Sequence, residues 1–117
     1  MVYSLFVLYG MPSIAVQPHT PPLPVGIVQT NHDSYNPQPN RQLAELVRLG
    51  EQAVSGISKP ALVVAPEGAS PLPLVTNPVL FAGLRQAVAG WNVPLALGFM
   101  TPVGKENYCN EAYLFTP

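Results

Sequence analysis

Residues 61–65 read ALVVA, and Pro66-Glu67-Gly68-Ala69-Ser70-Pro71 follows at once. A continuous apolar run of this kind has the pattern of a strand covered on both faces, as in a parallel sheet. Working outward, residues 25–29 (VGIVQ) form a second strand candidate, followed by a polar turn over 30–39 with Asn, Asp, Ser and Pro in turn roles. Asn40 then caps a helix in which Leu43, Leu46, Val47, Val54 and Ile57 recur at helical spacing, with Gly56 as the stop. Downstream, Asn77-Pro78 is an N-cap followed by proline at the first helical position, opening a helix with Phe81, Leu84 and Val88 inward and Gly90 closing it. Residues 95–100 (LALGFM) are the next strand, Gly104-Lys105 a turn, and 111–115 (EAYLF) a fourth strand. The expected order is β-α-β-α-β-β, an α/β fold whose last two strands form a hairpin, without internal repeats.

The ends of the chain differ from this middle. The first 16 residues (MVYSLFVLYGMPSIAV) are almost wholly apolar, and the first formally charged side chain is Asp33. The segment is shorter than the ~20 residues that span a bilayer, is interrupted by Gly10 and Pro12, and lacks the basic start of a signal peptide. It reads as the trailing end of a longer hydrophobic helix beside a membrane, with a buried strand or an expression artefact as the alternatives. Residues 17–24 (QPHTPPLP) form a stiff linker, because each proline fixes φ and removes a donor. Pro21 and Pro24 also satisfy P-x-x-P, although spacers of this composition are far commoner than groove-binding ligands. The third unit is the α/β part, 25–117.

Composition narrows the function classes. The chain of 117 residues has room for one small domain, so two catalytic domains are excluded. It is 48% hydrophobic and 9% charged with a net charge of -1, which excludes a disordered acidic tail and a basic nucleic-acid surface. The single cysteine, Cys109, excludes an intrachain disulfide and a cysteine-based zinc site within the chain; His19 and His32 have no ligand-spaced companions. Neither a metal nor a cofactor is expected.

Few residues remain that carry chemistry. In residues 98–105 (GFMTPVGK) five residues separate the glycines where a phosphate loop has four, and Glu106 stands where Ser or Thr would hold magnesium. No G-x-G-x-x-G follows residues 25–29, so a dinucleotide fold has only generic strand-helix order in its favour. Glu67 is the sharp feature. In open α/β sheets, ligands and catalytic groups collect beyond the carboxyl ends of strands, where this carboxylate is delivered. The plain alternative is a solvated loop acid. Cys109, in the polar turn KENYCNEAY with no histidine or cationic cluster in its local sequence, reads as an incidental thiol rather than a nucleophile.

These residues resemble the carbon–nitrogen hydrolase (nitrilase) superfamily, and within it the bacterial apolipoprotein N-acyltransferases. The likeness runs from about Val25 to Phe115. Gln29-Thr30-Asn31 after the first strand looks like the V-Q-x-N of that branch, and the apolar strand ends in Pro66-Glu67 as the branch does. Gly68-Ala69-Ser70-Pro71-Leu72-Pro73 is similar to its short P-E-T-A-x-P turn. Tyr108, Asn110, Ala112 and Leu114 resemble its Y-N-S-A-x-L strand, with Cys109 inserted and Glu111 replacing the serine.

The resemblance implies a partial nitrilase-type α-β-β-α sandwich and cysteine-thioester acyl transfer by a Glu-Lys-Cys triad. Only the glutamate maps here, onto Glu67. The family's lysine and cysteine lie beyond the Y-N-S-A strand and should fall after Pro117, so Lys105 and Cys109 do not inherit those roles. The chain is therefore expected to be the first half of a catalytic domain. Its parent would transfer a phospholipid acyl chain to the amino-terminal cysteine of a lipoprotein, at the outer, periplasmic face of the bacterial inner membrane. The alternatives are part of a soluble amidase or nitrilase, which would usually begin at the first strand, and a small non-enzymatic α/β binding protein.

Overall fold

The computed structural model describes residues 21–31, 38–69, 77–105 and 107–117. The apolar segment 1–16 and the first half of the proline-rich linker lie outside the described residues. No helix among the described residues is long and apolar enough to cross a membrane.

The elements are β1 (Val25–Ile27), α1 (Pro39–Val54), β2 (Leu62–Ala65), α2 (Pro78–Trp91), β3 (Leu95–Val103) and β4 (Asn107–Phe115). One mixed sheet holds the strands in the order β1-β2-β3-β4, the first three parallel and β4 antiparallel to β3. A sheet that grows in one direction through two crossovers of the same hand receives both helices on the same face. Accordingly α1 packs on β1 and β2, α2 packs on β4, and the helices touch each other.

This one-sided architecture decides the core. Val63, Ala65, Leu95, Leu97, Phe99 and Phe115 point into the helix layer and are buried against Leu46, Leu80, Leu84, Val88 and Trp91. The alternate residues of the same strands point to the other face, and among the described residues no second layer covers them: Ile27 is 79% exposed, Leu114 65%, Met100 50% and Val25 44%. Residues 61–65 therefore differ from the strand covered on both faces that their pattern suggested, since Leu62 and Val64 are only half-buried.

The α/β class and the element order agree with the sequence reading, and the differences lie at element ends. The first helix starts at Pro39 with Gln38 as a cap that makes no side-chain hydrogen bond, so Asn40 lies inside the helix rather than at its cap. Proline's fixed φ and missing N–H suit the first turn, which moves the start two residues earlier. The helix ends at Val54 with Ser55 as its cap, before Gly56, and Ile57 is fully exposed rather than on the packing face. Asn77 caps α2 as expected, its Oδ1 accepting from Leu80 N at 3.0 Å. Gly90 does not close α2; the helix runs to Trp91 and stops at Asn92 in the left-handed conformation (φ 51°), with Asn92 N donating to Val88 O at 3.0 Å. Asn tolerates that conformation better than most side chains.

The hairpin is longer than expected at both ends of its turn. Cys109 accordingly lies on a strand, paired with Thr101, and not in a polar turn. Pairing continues through Thr101, Pro102 and Val103 because backbone hydrogen bonds do not require apolar side chains. Since β2 pairs with β3 only as far as Leu97, Pro102 sits where β3 is itself an edge, which tolerates a proline.

Candidate functional site

The chain leaves β2 at Ala65 and turns at once. Ala69 N donates to Pro66 O at 3.3 Å, Gly68 has φ +76°, and Ala69 is fully buried, so Glu67 is the second residue of a tight turn fixed at its end. A positive φ at the third position is the conformation for which glycine is preferred. The Glu67 side chain is displayed to solvent, and among the described residues nothing bonds to its carboxylate.

The turn leans on β3. A Cβ on Gly98 would lie 3.1 Å from Glu67 Cα, 3.3 Å from its Cβ and 3.4 Å from its N. Leu97 and Phe99 on either side of Gly98 are buried in the helix layer, so the missing side chain of Gly98 would project the other way. Glu67 is thus at the carboxyl end of the parallel strands and on the sheet face opposite α1 and α2.

The other residues singled out in the sequence fall around this point in different ways. Ile27 pairs with Val64, so Thr30, three residues beyond Ile27, leaves β1 at the same end of the sheet as Glu67 leaves β2. Thr30 is buried, and its carbonyl accepts from Gln29 Nε2 at 3.2 Å. Tyr108, Asn110, Ala112 and Leu114 pair with Pro102, Met100, Gly98 and Ala96 and share the uncovered face with Glu67. Ser70 to Pro73 lie outside the described residues.

Cys109 and Lys105 are not brought to Glu67. The Cys109 row is three residues along the hairpin from Gly98, about 10 Å at ~3.3 Å per residue. By strand alternation Cys109 belongs to the opposite face. Lys105 is in the hairpin turn behind Gly104, whose φ is +77°.

One arrangement escaped the sequence reading. The Glu111 Oε2 atom accepts hydrogen bonds from Thr101 Oγ1 and from Tyr113 Oη, each at 2.7 Å. The Thr101 bond first and the Tyr113 bond second hold the Glu111 carboxyl below its usual range, while the bond to Glu111 pushes the Tyr113 hydroxyl up. The available signal was periodicity: Glu111 and Tyr113 are two apart on one strand, and Thr101 reaches the same face across the hairpin. This clasp lies on the helix side of the sheet, away from Glu67.

A groove of about 740 Å³ also runs between α1 and α2, its apolar lining interrupted by Asn40, Glu51, Ser55, Lys59 and Gln86, and Glu67 is not part of it. Among the described residues, no group of three or more His, Cys, Asp or Glu is placed to hold a metal ion. Comparison with protein-family models, curated proteins and solved structures returns no match to this chain.

Proposed function

We propose that this chain is the first part of a carbon–nitrogen hydrolase-type catalytic domain and that Glu67 is its general base. In this reading the Glu67 carboxylate takes the proton of a cysteine thiol, and the thiolate attacks the acyl ester carbonyl of a phospholipid. A lysine stabilises the oxyanion, and Glu67 returns the proton to the departing alkoxide, leaving a thioester. The amine of a lipoprotein's terminal cysteine then attacks the thioester, losing its proton through the same carboxylate as the enzyme thiol is released. The lysine and cysteine come from chain following Pro117, and the reaction is set at the outer face of the bacterial inner membrane.

The observation that carries this reading is the position of Glu67, at the carboxyl end of the parallel strands and on the sheet face opposite both helices, which no other element among the described residues covers. An element packing on that face would bring its side chains to Glu67. The alternate residues Tyr108, Asn110, Ala112 and Leu114, on which the resemblance rests, share that face.

The test is an assay of the complete gene product with phospholipid vesicles and a diacylated lipopeptide bearing a free amino-terminal cysteine. N-acylation of the lipopeptide, read by mass spectrometry, is the expected result. Hydrolysis of small amides without lipopeptide acylation would assign a soluble amidase instead. Neither activity would leave a binding protein.

A further inference from the structure

Given the reading of Glu67 as a base, we infer that Gly98 is its positioning residue. The turn that carries Glu67 has two supports among the described residues. One is internal, the Ala69 N to Pro66 O hydrogen bond with Ala69 buried beneath it. The other is the bare backbone of Gly98, which faces Glu67 Cα, Cβ and N at once.

The two supports act on different coordinates. The hydrogen bond closes the turn and buried Ala69 anchors its far end, while the contact with β3 sets how closely Glu67 itself approaches the sheet. A methyl group on Gly98 would meet backbone rather than the tip of a flexible side chain, at separations tighter than ordinary van der Waals contact. The turn must then lift off the sheet by a few tenths of an ångström, carrying the carboxylate with it. Gly98 itself has no need of glycine's conformational range, because it lies within β3 and its pairing with Ala112 is regular. The requirement is for space under Glu67.

Proton transfer depends steeply on such a distance. A misplacement of ~1 Å can cost about 100-fold in rate, so a lift of a few tenths should cost on the order of 10-fold. The loss falls on kcat and leaves KM for the acyl donor nearly unchanged, because Gly98 removes no group that binds substrate.

The experiment compares wild type, Gly98→Ala, Glu67→Gln and Gly90→Ala in the complete gene product. Gly90 has open space around its Cβ position and lies far from the turn, so its variant reports a glycine change without effect on Glu67. The expected result is a ~10-fold lower kcat in Gly98→Ala alone of the two glycine variants, with unchanged KM. In the wild type, nuclear Overhauser contacts between the α protons of Gly98 and Glu67 are expected, a readout that does not depend on any variant folding. Absence of those contacts, or a Gly98→Ala enzyme with normal kcat, would overturn the inference. Normal activity in Glu67→Gln would instead overturn the assignment of the base, and leave the geometry of the turn as it stands.

Discussion

Gly50 on α1 and Trp91 at the end of α2 share one volume: a Cβ on Gly50 would lie 2.2 Å from Cη2 and 2.4 Å from Cζ2 of the indole. The absence of a side chain on one helix is what lets the largest side chain of the other approach it this closely.

Gly50→Ala should therefore destabilise the fold, by about 2 kcal/mol, since overpacking a rigid ring outweighs the ~1 kcal/mol gained from alanine's better helix propensity. Gly90→Ala, with nothing within 4 Å of its Cβ position, should be neutral or stabilising. Denaturant unfolding of the two variants distinguishes them, and equal midpoints would contradict the packing account.

Asn77 is the cap whose role was readable from Asn77-Pro78 alone. Replacing it by alanine removes the acceptor for Leu80 N and should cost about 1 kcal/mol, with most of the loss restored by aspartate or serine. An alanine variant as stable as the wild type would show that the cap is dispensable.

The Glu111 clasp predicts a pH dependence. Its folded carboxyl lies below the unfolded value of ~4.3, so the unfolded chain holds the proton more tightly there; the clasp's contribution is present above that value and is lost as pH falls through the folded one. Tyr113 is displaced upward, so its contribution is present below ~10 and is lost as pH rises through its folded value. Glu111→Gln should flatten both limbs of a stability-pH curve. An acid limb unchanged by the substitution would remove the clasp from the account.

The sheet face that the described residues leave open bears on the behaviour of the 117-residue chain by itself. With Ile27, Leu114, Met100 and Val25 exposed together and only 9% charge to oppose association, the chain should self-associate or take up hydrophobic dye. Ile27→Lys and Leu114→Lys should shift its sedimentation toward monomer without lowering stability, because neither side chain is in the core. A wild-type monomer at all concentrations would show that the face needs no cover.

Much of this arrangement is legible in the sequence, and the exceptions share a cause. The β-α-β-α-β-β order follows from apolar runs and caps, and the cap at Asn77 and the inward side chains of Leu84 and Val88 are where periodicity puts them, whereas Phe81, expected inward with them, is 37% exposed at the edge of the core beside Phe115. Ends fixed by backbone geometry were harder. Asn92 rather than Gly90 stops α2 because the left-handed residue is set by where the last helical hydrogen bond falls. The polar residues Asn107 to Asn110 join β4 because hairpin pairing propagates regardless of polarity. The fit of Gly50 to Trp91 and of Gly98 to Glu67 was not legible at all, since each is a contact between elements distant in sequence. The position of Glu67 beyond a strand was readable. Which face it takes was not, because that depends on both helices settling on the other side.

The most direct measurement is intact-mass spectrometry of the acyl-enzyme in the complete gene product, comparing wild type with Glu67→Gln. The amide keeps the size of the side chain but cannot accept the thiol proton, so the variant should fold normally, yet form the thioester about 10² to 10⁴ times more slowly. Accumulation of the acyl adduct at the wild-type rate in Glu67→Gln would reduce Glu67 to a solvated acid at the end of a strand.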